Sequence, residues 1–181
     1  MVLGKRSWFP DFYDPLYVGI LSFVCAFLIF LPKILFRKHD ADKQKVITEL
    51  QVVVSIALIL NGIGTLGAFQ LYTVGFQYDK FNHFVIPFLM TIQTFRFFNI
   101  WKGYSIKRSL TLAGLIVFVG GILWEVLEFS SDLIFHTRTW GVYGLDAWTD
   151  TIGDVSFNTL GIIFAIFVMT FFNRKKAQVI K

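Results

Sequence analysis

The residues of this chain that could do chemistry gather between residues 79 and 158, where Asp79, Glu125, Glu128, Asp132, Asp146, Asp150 and Asp154 accompany Lys80, His83 and Asn158. Their spacing selects faces. Asp79 and His83 are four apart, Glu125, Glu128 and Asp132 follow a three-then-four step, and Asp150, Asp154 and Asn158 are each four apart. On helices each set lies along one stripe, and stripes turned toward one another enclose a pocket of carboxylates, an imidazole and an amide. Like charges so close require compensation, by a bound cation or by Lys80. Carboxylate oxygens with one histidine suit Mg²⁺, Mn²⁺, Ca²⁺ or Zn²⁺, and such an ion activates water against a phosphoryl group. In that chemistry His83, Glu125, Glu128 and Asp154 are the catalytic candidates. The candidate metal ligands are Asp79, His83, Glu125, Glu128, Asp150 and Asp154. Lys80 and Arg138, as anion clamps, and Asn158 are the candidate substrate contacts.

The elements that position these residues are transmembrane helices. Apolar residues make up 55% of the 181, charged ones 16%, and 22 are phenylalanine. That balance suits lipid rather than water. Five stretches, residues 16–36, 50–72, 83–101, 110–127 and 152–172, are each near the roughly 20 residues that cross a hydrocarbon core. The expected fold is therefore all-α, a single polytopic bundle of five spans, with residues 130–149 forming an external interfacial loop. Its aromatics, Trp140, Tyr143 and Trp148, suit headgroup depth. Residues 1–14 carry a proline, aromatics and acids where a signal peptide needs an apolar run, so the first span is expected to be retained. The single cysteine, Cys25, lies in an apolar run and gives no disulfide framework.

Charge orients the bundle. Lys33, Arg37, Lys38, Lys43, Lys45, Lys102, Lys107, Arg108, Arg174, Lys175, Lys176 and Lys181 fall on one side of a five-span arrangement, and only Lys5, Arg6, Lys80 and Arg138 on the other. The positive-inside rule puts the first group in the cytoplasm, with the N-terminus outside and the C-terminus inside. The net charge of +5 thus serves topology, and no nucleic-acid partner is expected. Arg96, about a turn and a half inside the third span, is expected to snorkel. Asp40, Asp42 and Glu49 fall in a cytoplasmic connection without an evident role, and His39 and His136 in loops.

Helix rise brings the polar groups to one depth. His83 stands about 27 Å above Trp101, Glu125 about 24 Å above Ser109, and Asp154 about 27 Å above Phe172. Pro87 leaves the His83 carbonyl without its usual helical donor and predicts a kink beside the site. Gly64 with Ala68, Gly120 with Gly121, and Gly161 with Ala165 are expected to let helices approach closely.

At these residues the sequence resembles two membrane families. Asp79-Lys80-Phe81-Asn82-His83, Trp124-Glu125-Val126-Leu127-Glu128 and the run from Asp154 through Asn158 to Gly161 are similar to the motifs of VanZ-like proteins, with Glu128 where that pattern has glutamine. The stretch Asp146-Ala147-Trp148-Thr149-Asp150-Thr151-Ile152-Gly153-Asp154, after Glu125 and Glu128, is closer to YjdF-like inner-membrane proteins. The resemblance implies a multi-pass plasma-membrane protein with a polar site. It names no reaction.

Three functions compete. The first is metal-dependent hydrolysis or transfer of a lipid or lipid-linked headgroup at the outer leaflet. The second is capture of an envelope lipid or other ligand at the same mouth without turnover, in the VanZ-like manner a resistance role. The third, transport, fits less well, because transporter sites lie near the midplane between repeated halves and this sequence shows no repeat. For any one acid, a plain helix contact or cap competes with a site, as for Asp150 at the start of the fifth span.

Overall fold

The computed structural model describes residues 15–36, 40–136 and 146–179, all of whose long elements are helical. They are α1 (Pro15–Leu35), α2 (Ala41–Thr65), a 3₁₀ segment (Ala68–Val74), α3 (Tyr78–Arg96) running into a π turn (Phe97–Trp101), α4 (Ile106–Phe135) and α5 (Ala147–Val179). Four stretches, Ala41–Thr65, Tyr78–Trp101, Ile106–Phe135 and Ala147–Asn173, are long and apolar enough to cross a bilayer. A shorter apolar stretch, Gly19–Leu35 in α1, makes the span count four to five.

Burial runs opposite to that of a water-soluble domain. Large apolar side chains such as Phe23, Ile59, Leu123, Ile152 and Phe167 face outward, while Lys80, Asn82, His83, Thr91, Gln93, Glu125, Asp150, Asp154 and Asn158 are buried. In water this arrangement is untenable; in lipid the outer surface is solvated by acyl chains and the polar groups satisfy one another inside. The protein is a multi-pass membrane protein.

The helices depart from the sequence-based spans at their ends. The second begins at Ala41 instead of residue 50, because its first turns are amphipathic rather than uniformly apolar: Val46 and Ile47 are fully buried while Asp42 and Lys45 are exposed. Asp40 caps it by accepting the Lys43 N–H at 2.9 Å, and that bond holds the Asp40 carboxyl below the usual carboxylate range. The same helix stops at Thr65 rather than 72, since Gly67 and Gly75 take positive φ values of 128° and 87° and bracket the 3₁₀ segment. Helix α4 continues to Phe135, so Glu128 and Asp132 are helical, and α5 begins at Ala147. The expected loop therefore shrinks to its middle, of which residues 137–145, with Arg138, Trp140 and Tyr143, lie outside the described residues. Helix α3 runs on through the buried Pro87 to Arg96 and passes there into the π turn.

Pairwise contacts fix the topology. Gln93 donates to the Val46 carbonyl and Tyr78 to that of Leu60, so α2 and α3 are antiparallel. Lys80 meets Asp154, His83 meets Asn158, and Phe88 packs on Phe164, so α3 and α5 run parallel, as alternate spans must. Gly114 and Gly121 of α4 face Ile166 and Asn158 of α5 in the antiparallel sense. The first turn of α3, the last turns of α4 and the first turns of α5 therefore share one end of the bundle, which is acidic. At the opposite end Arg96 is partly buried. It grips Glu49 with two nitrogens, Nε–Oε2 at 2.8 Å and Nη2–Oε1 at 3.1 Å, so Glu49 has a partner its assignment to a connection concealed.

Candidate functional site

Three helices build the acidic end, and small residues decide how closely they meet. A Cβ on Gly161 would strike the Phe84 carbonyl, so α5 lies directly against the α3 backbone there. Ala165, one turn on, is fully buried. Gly153 makes room for the stem of Lys80, whose Cε would lie 3.2 Å from an added Cβ, and Gly121 makes room for the Asn158 amide. The other expected small-residue contacts differ. Gly120 faces open space, Gly64 packs on Phe69, and Ala68 belongs to the 3₁₀ segment.

The stripe Asp150, Asp154 and Asn158 faces α3, and all three side chains are buried. Lys80 lies among them. Its ammonium donates to Asp150 Oδ1, to Asp154 Oδ1 at 2.7 Å and to the Asp150 carbonyl at 3.3 Å, with Asp79 Oδ2 at 3.4 Å. Asp150 is therefore an ion-pair partner inside the first turn of α5, and the cap falls to Asp146, which accepts from the Thr149 N–H at 3.2 Å. Removing one member of a buried ion pair costs about 3–5 kcal/mol, because the survivor is left uncompensated.

His83 lies beside this pair. Its Nδ1 is 3.3 Å from Asn158 Oδ1, and its Nε2 is 3.5 Å from Asp79 Oδ1 and 3.6 Å from Asp154 Oδ1. An Nδ1–H donated to the Asn158 carbonyl oxygen would leave the Nε2 lone pair beside the two carboxylates, the arrangement by which an outer hydrogen bond orients a ligating imidazole. Asp79, His83 and Asp154 each offer a ligand atom within 4.8 Å of the other two, which suits a single cation. From α4, Glu125 Oε1 approaches His83 Nδ1 to 3.9 Å; this oxygen is buried and has no hydrogen-bond partner. Glu128 lies a turn further along α4, where its Oε1 accepts from the Trp124 indole at 2.7 Å.

The sequence-based candidates thus converge in large part. Asp79, Lys80, His83, Glu125, Asp150, Asp154 and Asn158 meet in one cluster. Asn158 contacts His83 rather than open space, and Lys80 is occupied by carboxylates of its own protein. Arg138 lies outside the described residues. Gly121, expected as a close-approach glycine, meets the Asn158 amide, whereas Gly153 and Asn82 carried no expected role; both amide atoms of Asn82 are buried without a hydrogen-bond partner. Asn82 stood inside the quoted Asp-Lys-Phe-Asn-His run, and only its position on α3 distinguishes it.

The family model described as "Predicted membrane protein (DUF2238)" matches residues 10–175. The chain belongs to this family. It is the family of the YjdF-like resemblance, and the match gives the VanZ-like resemblance no support. The match takes in all three helices of the cluster, so the acidic end belongs to the family domain rather than to an appended segment. No curated protein and no protein of solved structure matches the chain.

Proposed function

We propose that this DUF2238 protein is a cation-dependent hydrolase or transferase of the plasma membrane, acting on the headgroup of a lipid or lipid-linked substrate at the outer leaflet. The observation that carries the reading is the convergence of His83 Nε2 with Asp79 and Asp154 at the acidic end of the bundle. Three protein ligands leave coordination positions for water and for a substrate oxygen. Asp79, His83 and Asp154 would hold the cation, which would lower the pKa of a bound water and polarise a phosphoryl oxygen, and Glu125 would be the nearby carboxylate able to exchange a proton with water and the departing headgroup oxygen. The basic residues at the other end support placing the site outward. A Mg²⁺, Mn²⁺, Ca²⁺ or Zn²⁺ ion fits the ligand set.

The ammonium of Lys80 favours a second reading, capture of a headgroup without turnover, because it already neutralises two carboxylates that a catalytic cation would use. Elemental analysis of protein purified without added metal, followed by release of headgroups from native lipids, separates the two. The catalytic reading expects bound metal in the wild type, its loss in Asp154→Ala, and headgroup release that stops in Glu125→Ala. Metal without release supports capture. Wild-type protein that holds no metal and is not stabilised by added divalent cations contradicts the catalytic reading.

A further inference from the structure

A histidine with several carboxylates offers ligand atoms for more than one cation, and one of the positions here is already taken by the protein itself. Lys80 is buried, and its Nζ bonds Asp150 and Asp154. Gly153 is shaped for it: an added Cβ would lie 3.2 Å from Lys80 Cε and 3.4 Å from Nζ. The lysine stem is thus seated by the backbone of α5. Asp154 serves both positions through the same oxygen, 2.7 Å from Lys80 Nζ and 3.6 Å from His83 Nε2. A second, independent feature points to a ligand. Glu125 is 6% exposed, and its Oε1, without a hydrogen-bond partner, faces His83. An acceptor buried in that state admits a water, a donor or a cation.

We propose that Lys80 is a tethered cation filling the second position of what would otherwise be a two-ion site, so that the protein binds a single divalent ion at Asp79, His83 and Asp154. The inference rests on the cation reading above and adds the stoichiometry. An ammonium on a flexible stem is a compact point charge and does for Asp150 and Asp154 what a second ion would do. Unlike a free ion it is never lost, so the carboxylates remain paired whatever the metal supply. A two-ion clamp spanning about 3.5–4 Å stabilises both the attacking and the leaving oxygen of a displacement. Here the ammonium takes the place of one ion, leaving a single exchangeable one to bind substrate.

The test is a titration of Mn²⁺ into the full chain in detergent micelles, counting bound ions by the loss of free-ion EPR signal. The expected result is one ion in the wild type, one in Lys80→Arg, and two in Lys80→Met. One ion in both the wild type and Lys80→Met overturns the proposal and leaves the cation reading intact; no ion in the wild type removes both. Should Lys80→Met fail to fold, Asp150→Asn and Asp154→Asn decide the matter in the wild-type background. The proposal expects Asp150→Asn to keep its ion at near wild-type affinity while Asp154→Asn weakens binding by about tenfold or more. Equal losses in the two variants contradict it.

Discussion

At the scale of single residues, the cluster is organised by what each polar group finds as a partner. Lys80 satisfies Asp150, His83 is oriented by Asn158, and Glu128 takes the Trp124 indole, which leaves Glu125 Oε1 as the buried acceptor facing the histidine without a bond. The Asn158 amide is the clearest test of this order, because it touches His83 and not the proposed ion. Asn158→Leu removes the acceptor that fixes the imidazole, and the expected outcome is Mn²⁺ affinity lower by about 10–100-fold, with Asn158→Asp, which keeps an acceptor, much closer to the wild type. Isothermal titration in micelles measures both. Equal affinity in all three proteins contradicts the orienting role. Residue types and spacing made the members of the cluster legible: four-residue steps placed Asp150, Asp154 and Asn158 on one face, and the structure buries all three. The division of labour was not legible. Whether Lys80 reaches outward to an anion or inward to Asp150 depends on the space above Gly153, and no spacing rule encodes that space.

At the scale of elements, close approach of α3 and α5 brings Lys80 and His83 to Asp154. The approach depends on Gly161, where a side chain would meet the Phe84 carbonyl, and is closed below by Phe164 packing on Phe84 and Phe88 at 6.1 and 5.5 Å. Gly161→Ala is expected to destabilise the protein by about 1–3 kcal/mol through overpacking, whereas Gly120→Ala, with open space around it, is expected to be neutral or slightly stabilising. Thermal unfolding in detergent compares the pair, and equal effects would mean that the helices do not meet at Gly161. The sequence distinguished these glycines poorly, since a small residue marks a possible contact without naming the partner helix. Helix ends were misjudged for a related reason. A hydropathy window reads mean composition, so it passed over the amphipathic start of α2 around Val46 and Ile47. With that start went Glu49, the partner of Arg96.

At the scale of the whole molecule, the bundle is polarised. Apolar side chains coat its flanks, Arg96 and Glu49 pair toward one end, and a histidine with several carboxylates occupies the other. Alternation of the spans was legible because it needs only their number, and the parallel pairing of α3 with α5 follows from it. Which helices touch was not, since lipid-facing and helix-facing apolar residues look alike in a membrane sequence. The central claim is that this polarity serves a cation held by His83, Asp79 and Asp154. Pulsed EPR of the Mn²⁺-loaded protein tests it most directly, because a manganese ion bound to imidazole carries a resolved coupling to the ligating nitrogen. The account expects that coupling in the wild type and its disappearance in His83→Gln, with the oxygen ligation otherwise retained. Bound manganese that shows no nitrogen coupling in the wild type, or the same coupling in His83→Gln, would contradict it.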